Sequence, residues 1–426
     1  MTTGAFPLGG RIMRRRQQLT ILALIVLLTS AVLDAPAAPQ SGHNQISSVP
    51  APNSKDSEAP AVFAISEMQP GTPVSLNLPA VTQATLFDGD YSYSIRVPSG
   101  VSQLTVALNW STPAVDLDLW MRFGQDVGLA NGRVVYDYKS TATSTSGKEG
   151  EIITVNSPAP GTYYIAASVF SGFNVSIAAT ITASMEFTGV IPQITVGDYG
   201  SLYSSTIEVI NTTAGTINVS GTFYNENGTQ STVPYLTNIS SVPSFTGTFK
   251  NISLASNAAL VITVGNNVAR NTDWAKIVTT GNVTILTFLE VRDATGKLLS
   301  RVAVPTSIAN MGTFVLPRFR NVAAQLDSGF AIVNTGTTAA NLSASLKGAD
   351  GAIIAARSTN LLPNAHIAEF ANTFFNGTGC GPCLGTEGGT ATKYHFITFT
   401  SSSPQCAAMG LSIEGDILAT IPVNSY

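Results

Sequence analysis

Val115-Asp116-Leu117-Asp118-Leu119-Trp120-Met121 alternates apolar and polar side chains with a period of two. Successive side chains of a strand point to opposite faces. Val115, Leu117, Leu119 and Met121 are therefore expected on a buried face, with Asp116, Asp118 and Trp120 on the opposite, wet face. The same period runs through Tyr91, Tyr93, Ile95 and Val97, then Leu104, Val106, Leu108 and Trp110, and later Tyr163, Ile165, Ala167 and Val169. Turn clusters such as Val97-Pro98-Ser99-Gly100 and Ser157-Pro158-Ala159-Pro160-Gly161 separate the runs. Short strands at this spacing predict an all-β chain of antiparallel β-sandwiches, jelly-roll or Ig-like. No helical stripe of useful length follows residue 37.

The N-terminus reads differently. Arg11, Arg14, Arg15 and Arg16 precede an apolar run from Leu19 to Leu33, and Ala35-Pro36-Ala37 follows as a small-x-small site. The run is shorter than the ~20 residues of a spanning helix. These three regions together predict a secretory signal over 1–37, with retention as an uncleaved anchor the alternative. Residues 38–75, rich in Pro, Ala and Ser, read as a disordered linker.

With 426 residues the chain has room for roughly two to four domains. Charged residues make up 11%, against roughly 25% in an average soluble protein, so Ser, Thr, Asn and Gly must carry the surface. Such a surface suits an exported protein living among neutral polymers. Losing the four Arg and Asp34 with the signal leaves 17 basic and 24 acidic residues, a net charge of −7. Nucleic acid is excluded as a partner, because its recognition needs clustered Lys and Arg. No second apolar run reaches spanning length, so no membrane span is expected in the mature chain.

The blocks around the opening stretch carry a resemblance. Tyr91-Ser92-Tyr93-Ser94-Ile95-Arg96-Val97-Pro98-Ser99-Gly100, Asp116-Leu117-Asp118-Leu119-Trp120, Glu149-Gly150-Glu151-Ile152 and Pro160-Gly161-Thr162-Tyr163-Tyr164-Ile165 occur in order. Residues 80–184 resemble the bacterial pre-peptidase C-terminal domain, a small non-catalytic sandwich appended to secreted peptidases and other exported proteins. No peptidase domain accompanies it here.

The remainder contains an internal repeat. Ser205, Asn211, Thr212, Asn218, Ser220 and Gly228 recur 123 residues later as Ser328, Asn334, Thr335, Asn341, Ser343 and Gly351. A repeat of this length reads as a duplicated domain rather than a solenoid unit, and it is similar to duplicated β-sandwich modules of secreted bacterial proteins. The expected organisation is thus a signal at 1–37, a linker at 38–75 and three sandwiches at 76–185, 186–310 and 311–426.

Candidate chemistry is sparse. Of three histidines, His43 falls in the linker, while His366 and His395 read as structural strand residues. Gly410-Leu411-Ser412-Ile413-Glu414 lacks the second glycine of a nucleophile elbow. Cys380-Gly381-Pro382-Cys383 has redox spacing, but Leu384-Gly385-Thr386-Glu387-Gly388-Gly389 after it cannot form the helix that would lower a thiol pKa. A structural disulfide is expected instead, within this pair or from either cysteine to Cys406. The best site candidate is acidic. Asp116 and Asp118 lie on one strand face, about 7 Å apart. The resemblance to pre-peptidase domains, some relatives of which bind Ca²⁺, adds Asp137 and Glu151 as further candidate ligands.

These readings point to a secreted or cell-surface protein that is not an enzyme and contacts an extracellular polymer or protein matrix through its sandwich faces. The alternatives are an accessory chain of an extracellular hydrolase system, a hydrolase with an unrecognised site, and a structural envelope component.

Overall fold

The computed structural model describes residues 65–425, apart from 88–90, 113–114, 131, 141–148, 172–173, 265–268, 308–310, 382 and 386. The expected signal at 1–37 and the expected linker as far as residue 64 lie outside these residues. The fold is all-β: 64% of the described residues are strand and 2% helix. The helix among the described residues is the six-residue Ala371–Asn376, which buries Phe374 and Phe375. No helix among them is long and apolar enough to cross a membrane.

Ordered structure begins earlier than the sequence reading places it. Ser66–Glu67 pairs with Tyr93–Val97, and Val74–Leu78 pairs with the start of Ile177–Asp198. The segment reads as linker because of its Pro, Ala and Ser content. Met68 within it is nonetheless buried, and the strand that starts at Val74 runs on to bury Leu76 and Leu78 against a neighbouring strand.

In the first region, Asp116–Phe123 and Tyr93–Val97 flank Gly161–Ser171 in one sheet. Three of the four resembling blocks are therefore neighbours. The fourth lies in Glu149–Asn156, which pairs with Val101–Trp110 in a second sheet. Leu104, Val106 and Leu108 from that sheet meet Ile95, Leu117, Leu119, Met121 and Ile165 from the other in one core.

The second sheet does not stop at the expected boundary between 185 and 186. Ile177–Asp198 is a single strand of 22 residues. Its first half pairs with Val101–Trp110 and its second with Asn271–Thr279. The register shifts between Ile191 and Ile194, where Pro192, which has no N–H to donate, falls at an irregularity, as a proline inside a sheet must. One backbone thus runs through two cores.

In the last region a five-stranded sheet containing Thr313–Arg320, Ala340–Lys347 and Lys393–Ser401 faces a four-stranded sheet of His366–Phe370, Leu326–Asn334, Cys406–Glu414 and Ile417–Ile421. Phe314, Leu316, Phe330, Ile332, Leu342, Ile397 and Phe399 fill the space between them.

The repeat has matching local geometry. Ser205 Oγ accepts from the Thr195 N–H and donates to its carbonyl. Ser328 Oγ does the same with Phe319. Thr195 pairs across with Thr272 and Phe319 with Tyr394, while Tyr224 pairs with Trp274 and Lys347 with Phe396.

Candidate functional site

The acidic candidates come from facing sheets. Leu117, Leu119 and Met121 are fully buried and turn Asp116 and Asp118 to the other side of their strand. That side is not the wet face expected. Trp120 is buried there beneath Leu86, Val127 and Ala166, and its indole N–H donates to Ser168 Oγ at 2.8 Å. Lys139 Nζ lies 4.6 Å above the Trp120 ring and 3.1 Å from Asp118 Oδ1.

Glu151 reaches this cluster from Glu149–Asn156. It is 1% exposed, and its Oε2 has no hydrogen-bond partner. Burial raises its pKa, and the charges of Asp118 and Asp116 add to the rise, against a hydrogen bond from Ser140 and the charge of Lys139. Asp116 and Asp118 are therefore near enough for their charges to act on Glu151, across the space between the two sheets.

The structure does not bring Asp137 to them. Asp137 sits at the other end of the strand, where its Oδ2 accepts from the Phe123 N–H at 2.8 Å. Asp118 and Phe123 are five residues apart along an extended strand, about 16 Å.

Calcium wants six to eight oxygens. Here an ammonium stands against Asp118, and among the described residues no group of three or more His, Cys, Asp or Glu is arranged to hold a metal ion. The residues present fit a cluster neutralised by Lys139 better than a calcium cage.

Cys380 and Cys383 pair with each other, their Cα atoms 5.1 Å apart. Cys406 is the free thiol, buried, with its Sγ 3.2 Å from Ser401 Oγ. Burial raises its pKa, against that hydrogen bond, so it is a poor nucleophile. The loop carrying the disulfide is held by Arg318, which is wholly buried and paired with Glu387. Burial alone would push the Glu387 carboxyl up, but the hydrogen bonds and charge of Arg318 override it and lower its pKa. His395 Nδ1 completes the group 3.1 Å from Arg318.

A concave site that the sequence did not announce lies between the second and third regions. Tyr199, Tyr203 and Leu289 face Phe330, Phe370, Met409, Leu411 and Ile413 across a cavity of about 300 Å³, with Gln193, Thr195, Thr272 and Glu369 as its polar members. Tyr199 and Tyr203 meet edge to face at 5.5 Å, and Arg270 stacks 4.4 Å over Tyr199. Gln193 Oε1 lies 3.2 Å from Nε2 of the buried His366. Burial lowers the His366 pKa to about 4, so the ring is neutral at pH 7 and stands behind Gln193 rather than in the cavity lining. Burial raises the Glu369 carboxyl, although Arg357 lies 3.6 Å away and opposes it. An apolar wall with a few polar groups suits holding a ligand.

No family model matches the chain, and no curated protein matches it.

Proposed function

We propose that this chain is an exported, non-catalytic binding protein of three β-sandwich modules, the first of the pre-peptidase C-terminal kind, acting at or beyond the cell surface. Its partner is an extracellular polymer or matrix protein. The observation that carries this reading is the aromatic-walled cavity between the second and third regions. Its lining is dominated by Tyr199, Tyr203, Phe330, Phe370 and Met409. Its volume falls at the lower end of the ~300–1,000 Å³ of ordinary ligand pockets, enough for one ring or side chain of a longer polymer.

Glu369 in the cavity is paired with Arg357, and other groups suited to acid–base chemistry are engaged elsewhere. Asp273 accepts hydrogen bonds from Ser231, Tyr235 and Asn271. Glu387 is bound to Arg318, and His366 is sealed within the protein. An accessory chain of a hydrolase system would share the same cavity and bind the hydrolase's polymer.

The test is an array of glycans and matrix proteins probed with the secreted protein, whose mature N-terminus is expected near Ala38. Binding should weaken at least tenfold in Tyr203→Ala and Phe370→Ala, by the usual loss for an aromatic anchor. Turnover of an array substrate, or binding indifferent to both substitutions, would overturn the reading.

A further inference from the structure

The two copies of the repeat meet each other through unlike faces. In the first copy, Trp274 and Tyr224 stack at 4.7 Å on the outer side of their sheet. Val333 and Ala407 of the second copy cover them, together with Val190, in one buried cluster. The Trp274 indole N–H donates to the Asn364 carbonyl at 2.8 Å. The contact is therefore a face of copy one against the outer side of the Leu326–Asn334 and Cys406–Glu414 strands of copy two.

Each partner in this contact has an equivalent left open among the described residues. By strand register, Tyr224, Trp274, Thr272 and Thr195 correspond to Lys347, Phe396, Tyr394 and Phe319. Trp274 is fully buried, whereas Phe396 is partly exposed and Tyr394 is 66% exposed. Phe319 and Tyr394 meet edge to face at 5.9 Å, an aromatic platform on a sheet face.

The opposite partner behaves likewise. Every residue from Ser328 to Asn334 is buried, so that strand is covered on both sides. Its counterpart from Ser205 to Asn211 alternates buried and partly exposed. Leu286 and Phe288, the equivalents of Met409 and Leu411, stay partly or fully open, Leu286 at 38%. The open faces also differ from the covered ones in charge. Glu208 stands where copy two has Ala331, and Lys347 stands where copy one has Tyr224.

We propose that copies of this chain associate head to tail. The open aromatic face of Phe319, Tyr394, Phe396 and Lys347 on one chain seats the open outer face of Glu208, Leu286 and Phe288 on the next. The contact repeats between chains the one already made within each chain, and Lys347 and Glu208 place opposite charges on the two faces, Glu208 beside a Phe288 ring that carries the Arg301 guanidinium paired with Glu290. A heterologous contact of this kind does not use up its own surfaces, so it extends into rings or filaments.

Sedimentation velocity of the full chain over a range of concentrations tests this. The native protein should form a ladder of species that grows with concentration and shrinks as salt screens the charged pair. Tyr394→Arg and Leu286→Arg, both at exposed positions, should each raise the dissociation constant at least tenfold while leaving the melting temperature in place. Mixing the two variants should restore dimers and nothing larger, because each supplies the one face the other lacks. A native protein that stays monomeric to ~0.5 mM, a range in which even weak specific contacts register, overturns the proposal. So does a dimer that survives both substitutions. Retained self-association in Tyr394→Arg with loss of polymer binding would assign that face to a polymer instead.

Discussion

Asn211 and Asn334 are fully buried and solve the same problem in the two copies of the repeat. The side-chain nitrogen of Asn211 lies 2.7, 2.9 and 3.0 Å from the carbonyl oxygens of Gly215, Leu254 and Ala255. That of Asn334 lies 2.8, 3.0 and 3.2 Å from those of Thr338, Leu361 and Leu362. Each Oδ1 accepts the N–H two residues on, from Thr213 or Gly336. One amide thereby ties a strand end to two connections that would otherwise bury unpaired carbonyls. Asn211→Ala or Asn334→Ala should each cost about 2–4 kcal/mol, the desolvation of several orphaned groups. The exposed Asn341→Ala should stay within about 0.5 kcal/mol. Urea unfolding of the three variants checks the contrast.

Gly228 and Gly351 are equivalent turn residues with nearly the same backbone, φ +81° and +82°. Their surroundings differ. A Cβ on Gly228 would sit 2.4 Å from the Pro363 carbonyl oxygen, whereas one on Gly351 meets nothing within 4 Å. Gly351→Ala should cost about 1–2 kcal/mol for the left-handed backbone alone. Gly228→Ala should lose more, because it also pries the third region from the second. Equal losses in thermal unfolding would contradict the tight contact described here.

Glu151 should make stability fall with rising pH. Its folded-state pKa is raised by burial and by Asp118 and Asp116, so the folded state binds a proton more tightly than the unfolded one. The contribution is fully present below the unfolded carboxyl's 4.5 and is lost as pH rises through the folded value. Glu151→Gln, neutral at every pH, should therefore unfold at a higher temperature than the native protein at pH 7. The difference should shrink as pH falls toward 4. A variant less stable than native at pH 7 would show that Glu151 is held as a needed carboxylate.

Lys139 bears on the calcium expectation. With its ammonium 3.1 Å from Asp118, excess chelator should move the native melting temperature by less than about 1 °C. Lys139→Gln removes the cation and leaves Asp116, Asp118 and Glu151 to repel one another. That variant should melt lower and regain stability on adding Ca²⁺. A native protein that loses several degrees on chelation would restore the calcium site to the unsubstituted cluster.

The alternation that predicts Asp116–Phe123 was fully legible, because strand faces depend only on neighbours two apart. The repeat was legible for a similar reason, since Asn211 and Asn334 act within their own turns. Trp120 was misread as facing water because the residues that cover it, Leu86, Val127 and Ala166, come from three other segments. Asp137 was grouped with Asp116 and Asp118 through the family resemblance, but strand pairing carries it to the other end, against Phe123. Glu387 gave no signal at all, since nothing in its Gly-rich loop points to the buried Arg318.

Local chemistry in the chain was enough for the all-β class, the strand faces and the matched positions of the repeat. Side-chain periodicity and turn residues act over a few positions, and each copy repeats them. Tertiary packing alone decided that one 22-residue strand joins two cores, that Cys380 pairs with Cys383, and that the aromatic cavity forms. It also decided which of two equivalent faces is covered. Trp274 and Phe396 have the same place in their strands, yet only Trp274 meets the second copy, because two unlike faces of a duplicated unit can make that contact once within a single chain.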